Sequence, residues 1–239
     1  NPLDSVSDSE KIRLLRMADT YAREQNPNVN QVDASLVMSW QALQIVRPDG
    51  SRFADIRPMA KFIVKPVLNN KYPGMSNIGG RFDVSQLLKL DDANWKRVCD
   101  DALQEAHYLS QARDIEGGEM PVVLNNGWCG VLIHEAVGHA LEGDLARNGG
   151  SVYENYFGEK VASDHVTIID DGTIDEARGA LNIDDEGTPT GKNVLIRDGY
   201  IERFMNDRQS ARLMGVQPTG NGRRESYQDH VMTRMTSTY

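Results

Sequence analysis

The residues best suited to chemistry are two histidines and one glutamate in the run HEAVGH. His134 and His139 can bind a metal ion through imidazole nitrogens, and Glu135 can accept a proton from a nearby water molecule. Residues five apart on an ideal α-helix lie about 140° apart around its axis, so the two rings would not converge on one ion. A π-bulge absorbs one extra residue and is common at functional sites. We therefore predict a distorted helix in which Gly138 adopts the unusual backbone angles.

The neighbouring residues predict how this helix is buried. Its two faces differ in polarity, which is typical of a helix between a core and a cleft. The apolar face, expected to pack on the core, contains Leu132, Ile133, Ala136, Val137, Ala140 and Leu141. The polar face contains His134, Glu135, Gly138, His139 and Glu142. The alternative is an ordinary amphipathic helix whose histidines and glutamates are surface groups.

Several sequence blocks carry a more specific resemblance. HEAVGH is one residue longer than the HExxH motif of zinc peptidases. The blocks GWCGVLIHEAVGHALEGD, LNIDDEGTP, PTGNGRRESY and the terminal MTSTY resemble, in order, the TldD branch of the TldD/PmbA metallopeptidase family. The resemblance implies a metal-dependent peptidase that cleaves peptides or unfolded protein segments. It further implies that His134 and His139 bind a divalent metal ion, with zinc expected, and that Glu135 is the general base.

The same resemblance leaves one metal ligand outside this chain. In the family the third protein ligand is a cysteine in the C-terminal portion of the subunit, and neither Cys99 nor Cys129 matches that position. We expect the chain, which begins with Asn1, to lack the family's N-terminal and C-terminal portions. Catalytic zinc normally has three protein ligands. We therefore expect the 239-residue chain alone to bind metal poorly and to be inactive.

The resemblance also implies a partner subunit. Family members usually pair a TldD-type subunit with a PmbA-type paralogue, so we expect a heterodimer of this kind or a homodimer. PmbA-type subunits lack the metal motif, which makes a non-catalytic assembly or binding subunit the alternative function. A metal-dependent amidohydrolase or oxygenase could also use two histidines and a carboxylate.

Composition excludes several other classes of protein. The chain has 26 Lys and Arg residues against 35 Asp and Glu residues, a net charge of −9, which argues against nucleic acid or an anionic membrane as partner. No apolar stretch approaches the length of a membrane span. Two cysteines are too few for a disulfide framework, and we expect a cytoplasmic protein.

The helices and strands predicted along the chain indicate an α+β fold. We expect an antiparallel sheet with flanking helices, followed by part of a β-rich domain that carries the motif helix. Residues 1–116 form a central α/β domain, and residues 117–239 form the first part of the catalytic domain. In the first domain, a capping box at Ser7 and Glu10 starts a helix that ends near Gln25. Two strands between residues 29 and 68 turn at residues 47–50, an exposed loop covers residues 69–81, and a second helix covers about 91–113.

In the second domain, we predict a short strand at residues 121–124, a turn at residues 125–127 and the motif helix at residues 129–141. A further strand covers residues 166–169, a hairpin at residues 193–204 turns at Asp198 and Gly199, and a helix from 207 to 214 ends before Gly215.

Two weaker groups have structural alternatives. Asp184, Asp185 and Glu186 could orient a substrate, although such an acidic turn is usually a solvated loop. Arg223 and Arg224 could bind a peptide carboxylate, and structural ion pairing is at least as probable for them.

Overall fold

The computed structural model describes residues 2–89, 92–127 and 129–239, and these residues form two compact units. The first unit contains the chain up to Gln41 and Arg57–Met120, and the second contains Ala42–Ile56 and Pro121–Tyr239. Helices combine with antiparallel sheets in the chain, which confirms the α+β fold class. The domain boundary at residues 116–118 stays a prediction.

The first unit begins with a 3-10 turn at Pro2–Asp4 and helix α1 at Asp8–Gln25. The Ser7 hydroxyl accepts a hydrogen bond from the Glu10 backbone N–H, and the Glu10 carboxylate accepts one from the Ser7 backbone N–H. This capping box was predicted, and it satisfies N–H groups that an α-helix leaves without partners.

A four-stranded antiparallel sheet follows α1. Its strands are β1 at Val29–Val46, β2 at Arg52–Leu68, β3 at Tyr72–Pro73 and β4 at Ser76–Gly80. Strand β2 pairs with β1, and also with β3 and β4 at different points along its length. The predicted long hairpin is therefore present.

The exposed loop predicted at residues 69–81 is wrong, because the chain there folds back onto the sheet. Asn69 and Asn70 have positive φ angles of 53° and 56°, which turn the chain sharply enough for β3 to pair with β2. Gly74 lies so close to helix α3, which spans Asp92–Gln111, that a Cβ atom would overlap the Ala102 carbonyl oxygen. Asn and Gly are typical of loops, but here they allow tight turns and close packing.

Helices α1 and α3 share a core with the sheet. A short helix α2 at Val84–Leu87, which the sequence analysis missed, adds Leu87 to it, and α3 ends two residues before the predicted Arg113. The buried members of this core are Leu14, Ala18, Ala60, Phe62, Val64, Leu87, Trp95, Val98 and Cys99. Burial raises the pKa of the Cys99 thiol to about 12, so this cysteine is an inert part of the core. The predicted start of α3 at Asp91 lies outside the described residues.

The second unit contains the predicted hairpin and the predicted C-terminal helix. Strand β5 at Ile168–Asp171 pairs with β6 at Lys192–Arg197, and β6 pairs with β7 at Tyr200–Ile201. Asp198 and Gly199 have φ angles of 48° and 84°, as a two-residue hairpin turn requires. After the motif run, helix α5 spans Gly143–Arg147 and helix α6 spans Arg208–Met214. Helix α6 is capped by Asp207 and ends at Gly215 in the left-handed conformation. A small sheet joins β8 at Gly222–Arg223 to β9 at Met232–Thr233.

Two strand predictions in this unit need correction. Strand β5 begins at Ile168 instead of Val166. Residues 121–124 form no strand, and Val122, Val123 and Leu124 are exposed. An apolar run has strand propensity, but a strand forms only where a second backbone pairs with it, and the sequence does not reveal that partner.

The last residues of the chain are fixed to β5 by a buried carboxylate. Asp170 is fully buried and accepts hydrogen bonds from the Thr236 backbone N–H at 2.8 Å, the Thr238 hydroxyl at 2.9 Å and the Asn221 amide at 2.7 Å. Ile169 and Tyr239 exchange two backbone hydrogen bonds beside it. Since the same terminal segment carries Arg234 and Met235, this network determines where those two side chains lie.

We predict that Gly74→Ala lowers the free energy of unfolding by about 1–3 kcal/mol, because the new methyl group would overlap backbone atoms of α3 that cannot move alone. Gly118→Ala is the matched control, since no atom lies within 4 Å of its added Cβ. Urea denaturation of both variants measures the difference. Equal stability of the two variants would contradict the observed packing of Gly74.

Candidate metal centre

The motif helix changes its hydrogen-bonding pattern within one continuous run. An α-helical turn, α4, spans Cys129–Ile133, a π-helical turn spans His134–Gly138, and a 3-10 turn spans His139–Leu141. The backbone N–H of His139 donates to the carbonyl oxygen of His134, five residues earlier. This bond brings the two histidines to the same side of the helix and confirms the predicted π-bulge.

The π-helical turn brings all three predicted site residues together. The His134 and His139 ring centroids lie 4.8 Å apart with their planes at 86°. Glu135 Oε2 lies 4.0 Å from His139 Nε2. One ligand atom from each of the three residues lies within 4.8 Å of the others, and this is the only such group of His, Cys, Asp or Glu in the described ranges.

The donor set fits a divalent metal ion of the zinc type. Imidazole nitrogen is a common zinc ligand, and a carboxylate beside the ion can accept a proton from the water that the ion activates. The His139 side chain is 37% exposed and the Glu135 side chain 65% exposed, so the group opens towards solvent on one side. A catalytic ion requires such an open side for water and substrate.

Gly138 has a different role from the one predicted. Its φ and ψ angles are −57° and −56°, which any residue can adopt in a helix. It is buried, and a Cβ atom at this position would overlap Met235 Sδ. Glycine at this position therefore leaves room for the Met235 side chain and does not supply unusual backbone angles.

The predicted division of the helix into an apolar and a polar face is wrong in part. Ile133, Val137 and Leu141 pack against the core of the unit, but Leu132 is 53% exposed. Glu142, predicted on the polar face, is fully buried. Glu142 follows the end of the helical run with φ −75° and ψ 124°, so a helical wheel extended to this residue does not give the direction of its side chain.

Glu142 contacts one of the predicted metal ligands. Its Oε1 lies 3.1 Å from His139 Nδ1, and its Oε2 accepts a hydrogen bond from Arg234 Nη1 at 2.8 Å. Burial raises the pKa of Glu142, and the charges of Arg234 and His139 oppose that rise. Neither Arg234 nor Met235 was predicted as a site residue, although Met235 opens the terminal block MTSTY and Arg234 directly precedes it.

The weaker candidates have structural roles. Asp184 is fully buried and accepts hydrogen bonds from the backbone N–H groups of Glu186, Thr188 and Gly222, so it is not part of a solvated loop. Burial raises its pKa. Arg223 Nε lies 3.8 Å from an Asp185 carboxylate oxygen, which favours structural ion pairing over substrate binding.

Two family models match the chain. Residues 1–109 match the family model described as the PmbA/TldA metallopeptidase central domain, and residues 117–239 match the one described as the PmbA/TldA metallopeptidase C-terminal domain. The chain belongs to this metallopeptidase family.

Curated relatives place the chain within the TldD branch. It is 44% identical over 246 residues to the metalloprotease TldD homologue of Buchnera aphidicola subsp. Acyrthosiphon pisum, a match that covers 100% of this chain and 51% of the relative. A zinc metalloprotease TldD homologue of Saccharolobus solfataricus is 34% identical over 125 residues, covering 52% of this chain and 28% of the relative. The predicted resemblance to the TldD branch is therefore confirmed. The chain spans about half the length of the first of these relatives.

A solved structure has the same fold. TldE from Thermococcus kodakarensis superposes with a TM-score of 0.77 at 21% sequence identity, covering 99% of this chain and 52% of that protein. In the described part of the chain, no helix is both long and apolar enough to cross a membrane.

We predict that Gly138→Ala and Met235→Ala are coupled in a double-mutant cycle. The first substitution adds a methyl group where Met235 Sδ lies, and the second removes that sulfur atom. Met235→Ala alone should destabilise the protein by about 2–5 kcal/mol, and Gly138→Ala should destabilise it less, because the flexible Met235 side chain can move aside. The loss of unfolding free energy in the double variant should be smaller, by at least about 0.5 kcal/mol, than the sum of the losses in the two single variants.

Urea denaturation measures this coupling, with Gly130→Ala as the control on the same helical run. No atom lies within 4 Å of a Cβ atom added at Gly130, so its effect should add to that of Met235→Ala. Additive effects of the Gly138 and Met235 substitutions would disprove their contact.

Proposed function

We propose that this chain supplies the metal centre of a peptidase, in which His134 and His139 bind zinc and Glu135 is the general base. The observation that carries the proposal is the π-helical turn, which brings two imidazoles and a carboxylate within 4.8 Å although five residues separate the histidines. The family membership and the metalloprotease names of the relatives support the same class of activity.

Glu135 suits the role of general base in peptide hydrolysis. When bound, zinc lowers the pKa of water and polarises the scissile carbonyl group. The Glu135 carboxylate lies 4.0 Å from His139 Nε2 and is open to solvent, so it can accept the proton of the attacking water. The same carboxyl group can then deliver that proton to the leaving amine.

The proposed metal ion needs one more protein ligand than the two histidines. Catalytic zinc normally has three protein ligands and keeps a fourth position open. Within the described ranges, no further His, Cys, Asp or Glu joins the group of His134, Glu135 and His139. We therefore assign the complete centre to the full-length protein.

The substrate in this proposal is a peptide or an unfolded protein segment. Strand β1 pairs only with β2 among the described strands, so its other edge could bind an extended peptide by strand addition. Such binding reads the backbone more than the side chains, which suits broad specificity. A co-crystal with the peptide away from any strand edge would contradict this binding mode.

The partner in this proposal is a PmbA-type paralogue in a heterodimer, with a homodimer as the second possibility. The fold similarity to TldE supports a relation to such subunits. A non-catalytic assembly role is less well supported, because the three motif residues are present and lie together. The cytoplasmic location stays a prediction.

We predict that Glu135→Gln in the full-length protein, with its paralogue, keeps the metal ion but lowers the rate of peptide cleavage by about 10²–10⁴-fold, since the amide cannot accept the proton of water. His139→Ala should lose the metal ion as well as activity. His165→Ala is the control, because His165 is exposed and lies outside the ligand group.

Metal content by mass spectrometry and cleavage of a fluorogenic peptide separate these outcomes. Full activity of Glu135→Gln with its metal ion bound would disprove the assigned role of Glu135. Loss of metal in His165→Ala would disprove the assigned ligands.

A further inference from the structure

The contacts of Glu142 identify a positioning role that rests on the proposed metal centre. Glu142 follows directly after the 3-10 turn that contains His139, and its side chain is fully buried. A buried carboxylate is costly unless both of its oxygens have partners. Here Oε1 lies 3.1 Å from His139 Nδ1, and Oε2 lies 2.8 Å from Arg234 Nη1.

Arg234 is itself fixed by its surroundings. Its Nη1 also donates to the Thr233 carbonyl oxygen at 2.7 Å, and its backbone N–H donates to the Asn221 carbonyl oxygen at 2.9 Å. The Thr233 backbone N–H donates to Asp144 Oδ2 at 3.2 Å. The terminal segment therefore holds the guanidinium, and the guanidinium orients the Glu142 carboxylate towards His139.

The pairing with Arg234 selects one tautomer of His139. The Arg234 guanidinium donates to one oxygen of Glu142, and the other oxygen, as part of a carboxylate, can only accept a hydrogen bond from His139. His139 Nδ1 must then carry the hydrogen atom, which leaves the lone pair on Nε2. That nitrogen faces Glu135, at 4.0 Å, on the side of the ligand group.

We propose that Glu142, held by Arg234, is a positioning residue that fixes the tautomer and the ring orientation of His139 so that Nε2 is presented to the metal ion. Metal-binding histidines commonly donate their second ring N–H to a carboxylate, and this contact both orients the ring and makes the ligand more basic. In this chain the carboxylate lies three residues from the ligand, and its own partner lies 92 residues further along the chain.

Glu142→Gln is the sharpest test, because glutamine has nearly the same shape. Arg234 needs an acceptor, so the glutamine oxygen should face Arg234 and the amide NH₂ should face His139. Nδ1 would then become an acceptor and the hydrogen atom would move to Nε2. We expect the zinc affinity of the full-length protein to fall roughly 10–100-fold.

Two measurements report this change independently. Competition with a chromophoric chelator gives the zinc affinity. Long-range ¹H–¹⁵N NMR of the metal-free protein gives the tautomer of His139, with the signals assigned from His139→Gln. We expect Nδ1–H in the native protein and Nε2–H in Glu142→Gln.

A second variant and a control complete the design. Arg234→Lys keeps the charge but loses the fork-shaped donor, so the tautomer should persist while the zinc affinity falls less than in Glu142→Gln. Glu202→Gln is the matched control, because it breaks an exposed pair with Arg197 in the same unit. The control should change neither the tautomer nor the affinity.

The outcomes distinguish this inference from the proposed function. An unchanged tautomer and unchanged zinc affinity in Glu142→Gln would overturn the positioning role while leaving the metal centre in place. Native protein that binds no zinc would overturn the metal centre. In that case the NMR spectra would still show whether Glu142 sets the tautomer of His139, and an Nε2–H tautomer in the native protein would overturn that as well.

Discussion

The second unit depends on a buried carboxylate that requires two partners. Glu142 is fully buried between His139 and Arg234, and removing either partner would leave a charge in a site that water does not reach. The two partners belong to segments 92 residues apart, so they meet only after the unit has folded. The position of the terminal segment therefore affects the orientation of His139, the proposed metal ligand.

The spacing of the histidines imposes a second constraint on the same segment. A π-helical turn brings His134 and His139 together, but it also rotates the following residues and moves Gly138 towards the core. Met235 then occupies the space beside Gly138. Residues 234 and 235 thus both contact the C-terminal side of the distorted run, Arg234 through an ion pair with Glu142 and Met235 through packing against Gly138. This arrangement explains why the hydrogen bonds of Asp170, which anchor the segment, matter for the site.

Features with local causes could be predicted from the sequence. The capping box at Ser7, the hairpin turn at Asp198, the helix end at Gly215 and the π-bulge itself each depend on a few neighbouring residues. The failures concern distant contacts. Strand β3 forms by pairing with β2, whereas residues 121–124 form no strand. Glu142 is buried in contact with Arg234. A single sequence does not show which distant residues come into contact. Helical periodicity alone therefore led to the wrong prediction that Glu142 lies on the polar face.

Two glutamates seven residues apart show how burial separates chemical roles. The Glu135 side chain is 65% exposed beside the ligand group, where a carboxylate can exchange protons with water. The Glu142 side chain has no exposed surface, and both of its oxygens are occupied, so it has no free position for a water molecule or a substrate. The same functional group can therefore act in proton transfer at one position and in ligand orientation at the other. Residue type and spacing locate Glu135 and Glu142 in the sequence, but the role of each follows only from the contacts of its carboxylate.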